Sequence, residues 1–466
     1  MQFKMNRIIQ SILISVSILY IKGDDSDYCY SKDTSPYKYF SEWTSYDIVK
    51  GATVIEQGCS PIYVWGLVKH GVKSLTNEQL ERNKLLSDLK KDIIQNNKEK
   101  RCTLCSDDFQ NINNWDNSLT EKQNEDLSKI AYTNHETFAT YLTNYIDSTT
   151  QKPTKDNFEF RTSKVTEAAG SALKFTNKLL GTSSEKAQDN GVTENNVLLR
   201  AKSDCSKWSE NNKERDDFIS TPIYQAMSYR ISNRLGFKSQ LPFDKILAMY
   251  ESCVIGNTLS TTTKPAFCAA FLQEDMKVME YREDLKHYYT SGYGSTLSEK
   301  IGCPLVKDMV DKLSKASTGN LEGKKGAFYF ADDENVMGMV TKLGLYRDEE
   351  PIKHDNYQFQ STNRKWRSSS LSPYTATMHA IVFNCANNEK KVEFYHNQNV
   401  VKFDACKSST GNKCPLDTFL TEVKKTIAKD DKCEEDYCDN KSSGAASNMM
   451  GYSFIVMVVC FLFSRL

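Results

Sequence analysis

The sequence predicts an α/β domain interrupted by a mainly α-helical insert, and three observations lead there. Short apolar runs rich in β-branched and aromatic residues recur at 61–68 (PIYVWGLV), 158–161, 327–331, 379–385 and 392–395. The first run passes through His70-Gly71 into a helical pattern, so the chain reads strand, glycine turn, helix. Between the second and third runs, residues 206–311 carry mainly helical periodicity. A chain of 466 residues with 39% hydrophobic and 26% charged residues is large enough to bury a substantial core.

The elements follow in order. Lys4 and Arg7 precede an apolar stretch at 8–21, and Gly23 is small, which reads as a secretory signal over 1–23. The alternative is an uncleaved anchor, but the run is shorter than the roughly 20 residues a span needs. After a loop-rich segment and the strand at 61–68, Thr76 and Gln79 form a capping box. Leu80, Leu85, Leu86, Leu89, Ile93 and Ile94 then recur at near-helical spacing through 77–97. The strand at 158–161 leads to a helix at 164–180, with Ala168, Ala172, Phe175 and Leu179 near one face. A polar, turn-rich stretch at 181–191 suggests a boundary. The α/β domain is thus read as 24–182 with 325–430, and the insert as 183–324, with helices at 243–254 and 273–289. A helix at 335–343 follows the strand at 327–331.

The far end reads as a linker (431–443) and a glycolipid-anchor signal (444–466). Small residues at 442–446 would include the attachment site, Ser443, and an apolar tail occupies 452–463. The alternative is a transmembrane helix, for which only Arg465 offers a basic stop. The expected location is the secretory pathway and the cell surface, lipid-tethered, or else secreted or in the ER lumen. Cysteine usage agrees: of 14 cysteines, Cys460 lies in the tail, leaving an odd number to pair in an oxidising compartment. Cys102 and Cys105 form a CxxC with no second pair at zinc spacing, so structural disulfides are the better reading. Cys406, Cys414, Cys433 and Cys438 allow three pairings. One glycosylation sequon, at Asn440, abuts the anchor site.

Charge and hydropathy exclude two classes. Lys+Arg and Asp+Glu are both 60, so no broad basic surface exists for nucleic acid. Mean hydropathy of −0.56 excludes a multi-span membrane protein.

The strongest chemical signal is Lys69-His70-Gly71-Val72-Lys73, straight after the first strand. Neutral imidazole is a good nucleophile, and adjacent cations stabilise phosphoryl oxygens in a transition state. His287, His354, His379 and His396 lack metal-ligand spacing, so no metal is expected.

At these residues the chain resembles the histidine acid phosphatases (branch 2 of their superfamily), whose signature is Arg-His-Gly-x-Arg-x-Pro. It looks most like the multiple inositol polyphosphate phosphatases. The segment FYFADDENVMGMVTKLGLYR at 328–347, DEEP at 348–351, RKWRS at 364–368, and Cys253 with Cys268 match that family in order. The resemblance spans about 29–414. It implies a histidine-phosphatase fold, a mixed central sheet flanked by helices with a helical insert capping the site. It also implies cofactor-free hydrolysis of inositol polyphosphates or similar phosphomonoesters through a phosphohistidine. His70 would be the nucleophile and Glu334 the proton donor, with Asp333 a second candidate acid. Lys69, Lys73, Lys164 and Asp332 would face the phosphate. Related phosphatases staple the first strand to a late one, which implies Cys59–Cys385, and Cys253–Cys268 is a second, local pair.

The sequence departs from the family at four phosphate-contacting positions. Both signature arginines are lysines, Lys69 and Lys73, and the signature proline is Leu75. Lysine keeps the charge and loses the bidentate fork. A further family arginine falls on Thr166, where Lys164 would substitute in part, and the histidine of His-Ala-Glu is Asp332. Two readings follow: an ecto-phosphatase of impaired activity with a locally positive capture surface, or an inactive pseudophosphatase acting as a binding protein. Arg364 and Arg367 would either contact polyphosphate or form a structural ion pair.

Overall fold

The computed structural model describes residues 28–438, apart from 34, 53–57, 73–74, 118–120, 147–151, 196, 200–204, 209, 260–263, 408, 410, 429–432 and 434–437. The expected signal over 1–23, Lys73, the sequon at Asn440, the expected attachment site Ser443 and the expected anchor signal at 444–466 lie outside the described residues.

Strand β1 (Cys59–Lys69) leads to helix α1 (Asn77–Lys98), whose Thr76 and Gln79 exchange both capping-box hydrogen bonds. Helix α2 (Glu121–Ile146), β2 (Phe158–Thr162), α3 (Thr166–Leu180) and β3 (Val192–Glu194) follow. A helical stretch then carries α4 (Pro222–Arg234), α5 (Phe243–Leu259), α6 (Gln273–Ser291) and α7 (Ser298–Thr318). The chain returns to the sheet through β4 (Gly326–Ala331), followed by α8 (Asp333–Lys342). It ends with β5 (Thr377–Cys385), β6 (Lys390–His396), β7 (Asn399–Val400), β8 (Cys414–Pro415) and α9 (Leu416–Ala428).

The sheet is mixed, in the order β3-β2-β4-β1-β5-β6-β7, with β8 also on β6. The first four strands in that order run parallel, and the rest alternate antiparallel. One boundary needs correcting. Val192–Glu194 falls in the stretch read as the helical insert, yet it forms the sheet edge on β2. Three residues are too few to show a strand period.

Successive side chains on a strand point to opposite faces, so a strand covered on both sides is apolar throughout. β1 sends Tyr63, Trp65 and Leu67 into one core, and Val64 and Val68 into a second. β4 splits likewise, with Ala327, Tyr329 and Ala331 on one face and Phe328 and Phe330 on the other. Phe138 of α2 and Phe175 of α3 cover the second face. Helices α7, α8 and α9 cover the first. Helices α7 and α8 cross at Gly302 and Gly338, where a Cβ on Gly302 would lie 2.0 Å from the Gly338 carbonyl oxygen. That contact sets the position of α8, which begins at the residues of interest.

Six disulfides join Cys29–Cys105, Cys59–Cys385, Cys205–Cys438, Cys253–Cys268, Cys303–Cys433 and Cys406–Cys414. Both expected pairs are present, and Cys59 and Cys385 sit opposite each other in the β1–β5 register. Among the described residues Cys102 is the free thiol, because Cys105 pairs with Cys29 rather than with its CxxC neighbour. The late cysteines do not pair only among themselves, since Cys433 and Cys438 reach back to Cys303 and Cys205.

Arg364 is fully buried, 2.8 Å from Glu280 and 2.6 Å from Asp284. Arg367 joins the same Glu280 at 2.5 Å, and Asp284 also accepts from the Ser368 amide at 2.6 Å. These arginines are structural ties between α6 and the 364–368 segment. Removing one partner from such a network leaves charge buried without compensation. Arg364→Leu is expected to cost about 3–5 kcal/mol in urea unfolding; a change under 1 kcal/mol would refute the assignment.

Two sheet histidines set an acid limit. Burial, with the charge of His396, lowers His379 to about 3. Burial lowers His396 to about 4, partly offset by the Leu371 carbonyl. Both values lie below the ordinary 6.5. The unfolded chain therefore takes up protons that the fold cannot, so this stability is present above pH 6.5 and is lost as pH falls toward 4. The expected slope is up to about 1.4 kcal/mol per pH unit for each histidine. His396→Gln should flatten it between pH 6 and 4.5, measured by urea titration at each pH.

Candidate active site

The C-terminal ends of parallel strands face one way, and loops leaving them meet. The β1–β4 register ends on Lys69 opposite Ala331, and the His70 amide donates to the Ala331 carbonyl at 2.9 Å. His70 and Asp332 thus leave adjacent strands side by side. Their side chains meet, with His70 Nε2 3.2 Å from Asp332 Oδ1, out of line for a hydrogen bond. Both residues are almost fully buried, at 1% and 3% exposure.

His70 Nδ1 lies 2.5 Å from the Gly71 carbonyl oxygen. A carbonyl only accepts, so Nδ1 carries the proton, and in the neutral ring Nε2 holds the lone pair. The Asp332 carboxylate, which also only accepts, faces that second nitrogen. The loop is held from beneath: Gly71 donates to Ser171 Oγ of α3 at 3.0 Å, and His135 Nε2 meets the Lys69 carbonyl at 3.2 Å. Sequence reasoning missed Ser171 and His135. Ser171 lies mid-helix and His135 outside any motif, so no local signal marks either.

Asp332 is the N-cap of α8 but makes no side-chain cap bond, its carboxylate being turned to His70. Asp333 and Glu334 form the acidic first turn, where the helix dipole favours negative charge. Both line a cavity of about 630 Å³ that also reaches Lys69, His70 and Gly71. His287 of α6 sits between Asp333 and Glu42, with Nδ1 3.7 Å from Asp333 and Nε2 3.7 Å from Glu42. Burial alone would raise the Glu42 carboxyl, but Lys286, His287 and Lys69 outweigh it and hold it at about 2.

The expected lysine clamp is not assembled among the described residues. Lys69 lines the cavity and donates to the Ser372 carbonyl at 2.8 Å. Lys164 and Thr166 are exposed and do not line it. The expected positive surface is also corrected: among the described lining residues, nine carboxylates face five lysines and arginines. Each lining arginine is engaged. Arg82 grips Glu251 with two hydrogen bonds of 2.9 and 2.7 Å, Arg215 meets Asp216 at 2.8 Å, and Arg282 meets Glu283. The site therefore sets the His70 imidazole beside candidate acids, with little free positive charge to receive a phosphate.

The profile of the histidine phosphatase superfamily (branch 2) matches residues 89–397. The chain is 31% identical over 458 residues, 94% of each sequence, to multiple inositol polyphosphate phosphatase 1 of Drosophila melanogaster. Its fold is similar to the phytase from D. castellii, with a TM-score of 0.67 and 14% identity over 88% of both chains. It is also similar to the Bifidobacterium longum multiple inositol polyphosphate phosphatase in complex with inositol hexasulfate. There the TM-score is 0.52 and identity 16%, over 85% of this chain and 98% of that one. The mixed sheet, the histidine loop at the C-terminal end of its parallel strands, the matching family profile and near-full-length similarity together make this chain a member of the histidine phosphatase superfamily, branch 2.

Proposed function

We propose that this chain is a phosphatase of the multiple inositol polyphosphate phosphatase type whose hydrolysis of highly charged phosphate esters is impaired. The observation that carries the reading is the Asp332 carboxylate 3.2 Å from the nucleophilic nitrogen of His70. The names of the relatives point to the substrate class, inositol polyphosphates.

In this reading His70 Nε2 attacks phosphorus and the bond to the ester oxygen breaks. Glu334 protonates that leaving oxygen, and Asp333 is the alternative acid. Water then frees the phosphohistidine, returning phosphate and the imidazole. Because the acid must carry its proton to donate it, release should favour acidic pH. Asp332 opposes the first step. A carboxylate about 4 Å from a phosphate oxygen repels it by about 1 kcal/mol per charge pair in water, and by several times more where water is scarce.

A second reading, a pseudophosphatase acting as a binding protein, is favoured by the acidic cavity lining. In either case the chain is proposed to be exported and lipid-tethered through Ser443. Six disulfides support an oxidising compartment.

Phosphate release from inositol hexakisphosphate by residues 24–442, across pH 4 to 8, tests the proposal. A slow release abolished by His70→Ala is expected. Equal traces from both proteins would leave only the binding reading. Asp332→His restores one donor, and such a donor is worth about 100- to 1,000-fold in rate. The variant should raise release by at least about 10-fold and tighten inorganic phosphate binding. Unchanged phosphate affinity would clear Asp332 of blocking the site.

A further inference from the structure

We propose that Glu42, His287 and Asp333 form a divalent metal site in the same cavity, suited to Zn²⁺ or Mn²⁺. The three come from separate parts of the chain: the 3-10 turn at Ser41–Trp43, helix α6, and the first turn of α8. Each can present one donor atom within 4.8 Å of the other two. One imidazole and two carboxylates are a donor set that borderline divalent metals accept.

Two further observations point to an ion rather than to a closed ion pair. His287 is 2% exposed, and its Nε2 has no hydrogen-bond partner although it faces Glu42. Both of its ring nitrogens stop 3.7 Å from a carboxylate oxygen, beyond hydrogen-bond reach. Donors on one zinc, at about 2.0–2.2 Å each, stand about 3.3 Å apart. One ring nitrogen binds a given ion, so only one of the two 3.7 Å gaps spans it, and the three donor atoms, within 4.8 Å of one another, would close toward that spacing. The cavity charge agrees: four more carboxylates than lysines and arginines line it among the described residues, and a dication would halve that excess.

Lys286 Nζ lies 3.7 Å from Glu42 and is the cation the metal must displace. It provides a control of opposite sign. Removing a ligand weakens binding, whereas removing Lys286 strengthens it.

The metal would also place positive charge beside His70, where the family arginines are missing. That consequence rests on the phosphatase reading, whereas the metal site does not. The cluster Cys29, Cys105 and Asp108 is no rival, because both its cysteines are disulfide-bonded.

The test is calorimetric titration of untagged, chelator-treated ectodomain (residues 24–442) with Zn²⁺, alongside the visible absorption of the Co²⁺ form. One ion per chain is expected. Glu42→Gln and His287→Gln, each checked for an unchanged circular dichroism spectrum, should weaken it at least about 100-fold and abolish the Co²⁺ bands. Lys286→Met should tighten it several-fold. The site is refuted by no binding up to 1 mM, or by affinity and Co²⁺ bands that the Glu42 and Lys286 variants leave unchanged. Inorganic phosphate is then titrated with and without Zn²⁺. Zinc binding with unaltered phosphate affinity would uphold the site and sever it from phosphate chemistry.

Discussion

The hydrogen bond from the His70 amide to the Ala331 carbonyl is the last rung of the β1–β4 ladder, and the site is built outward from it. Parallel strands in register deliver their next residues to adjacent places. Whatever stands at 332 must therefore face the ring at 70. The strands are covered on both sides, so the core fixes where the backbone delivers positions 70 and 332. A fold of this kind can exchange a group that attracts phosphate for one that repels it without loosening its core.

The charge balance of the whole chain conceals a local one. Sixty cations and sixty anions suggest neutrality, yet the cavity gathers carboxylates. Its arginines do not offset them freely, because a guanidinium gripped by a carboxylate has little left to offer a substrate. Lys69, whose ammonium donates to the Ser372 carbonyl, keeps donors to spare, but it stands among acids. The result is a buried imidazole inside an electrostatic environment that disfavours polyanions.

Much of this was legible in the sequence and some was not, for identifiable reasons. The strands at 61–68 and 327–331 announced themselves because burial on both faces makes a continuous apolar run. His70 stood out by following such a strand before a glycine. Strands β3, β7 and β8 hold three residues or fewer and carry no period. Helix α9 was missed although Leu416, Phe419, Leu420 and Val423 repeat on one face. Lys164 was placed at the site by motif alignment, and the turn before α3 leaves it exposed instead. His287 has no ligand spacing in the sequence, and spacing detects only ligands that share a helix or loop. Glu42, His287 and Asp333 are brought together by tertiary packing alone.

The pairing of Cys433 with Cys303 and of Cys438 with Cys205 has a mechanical consequence. Tension applied beyond residue 438 enters the molecule through these two clamps. It passes into helix α7 and the segment holding Cys205, and bypasses α9 and the sheet edge formed by β6 and β8. A single backbone cut between β8 and Cys433 would leave both pieces covalently joined, because those bridges close the loop around it. Tension taken up by α7 bears on its crossing with α8 at Gly302 and Gly338, and so on the turn that carries Asp332, Asp333 and Glu334.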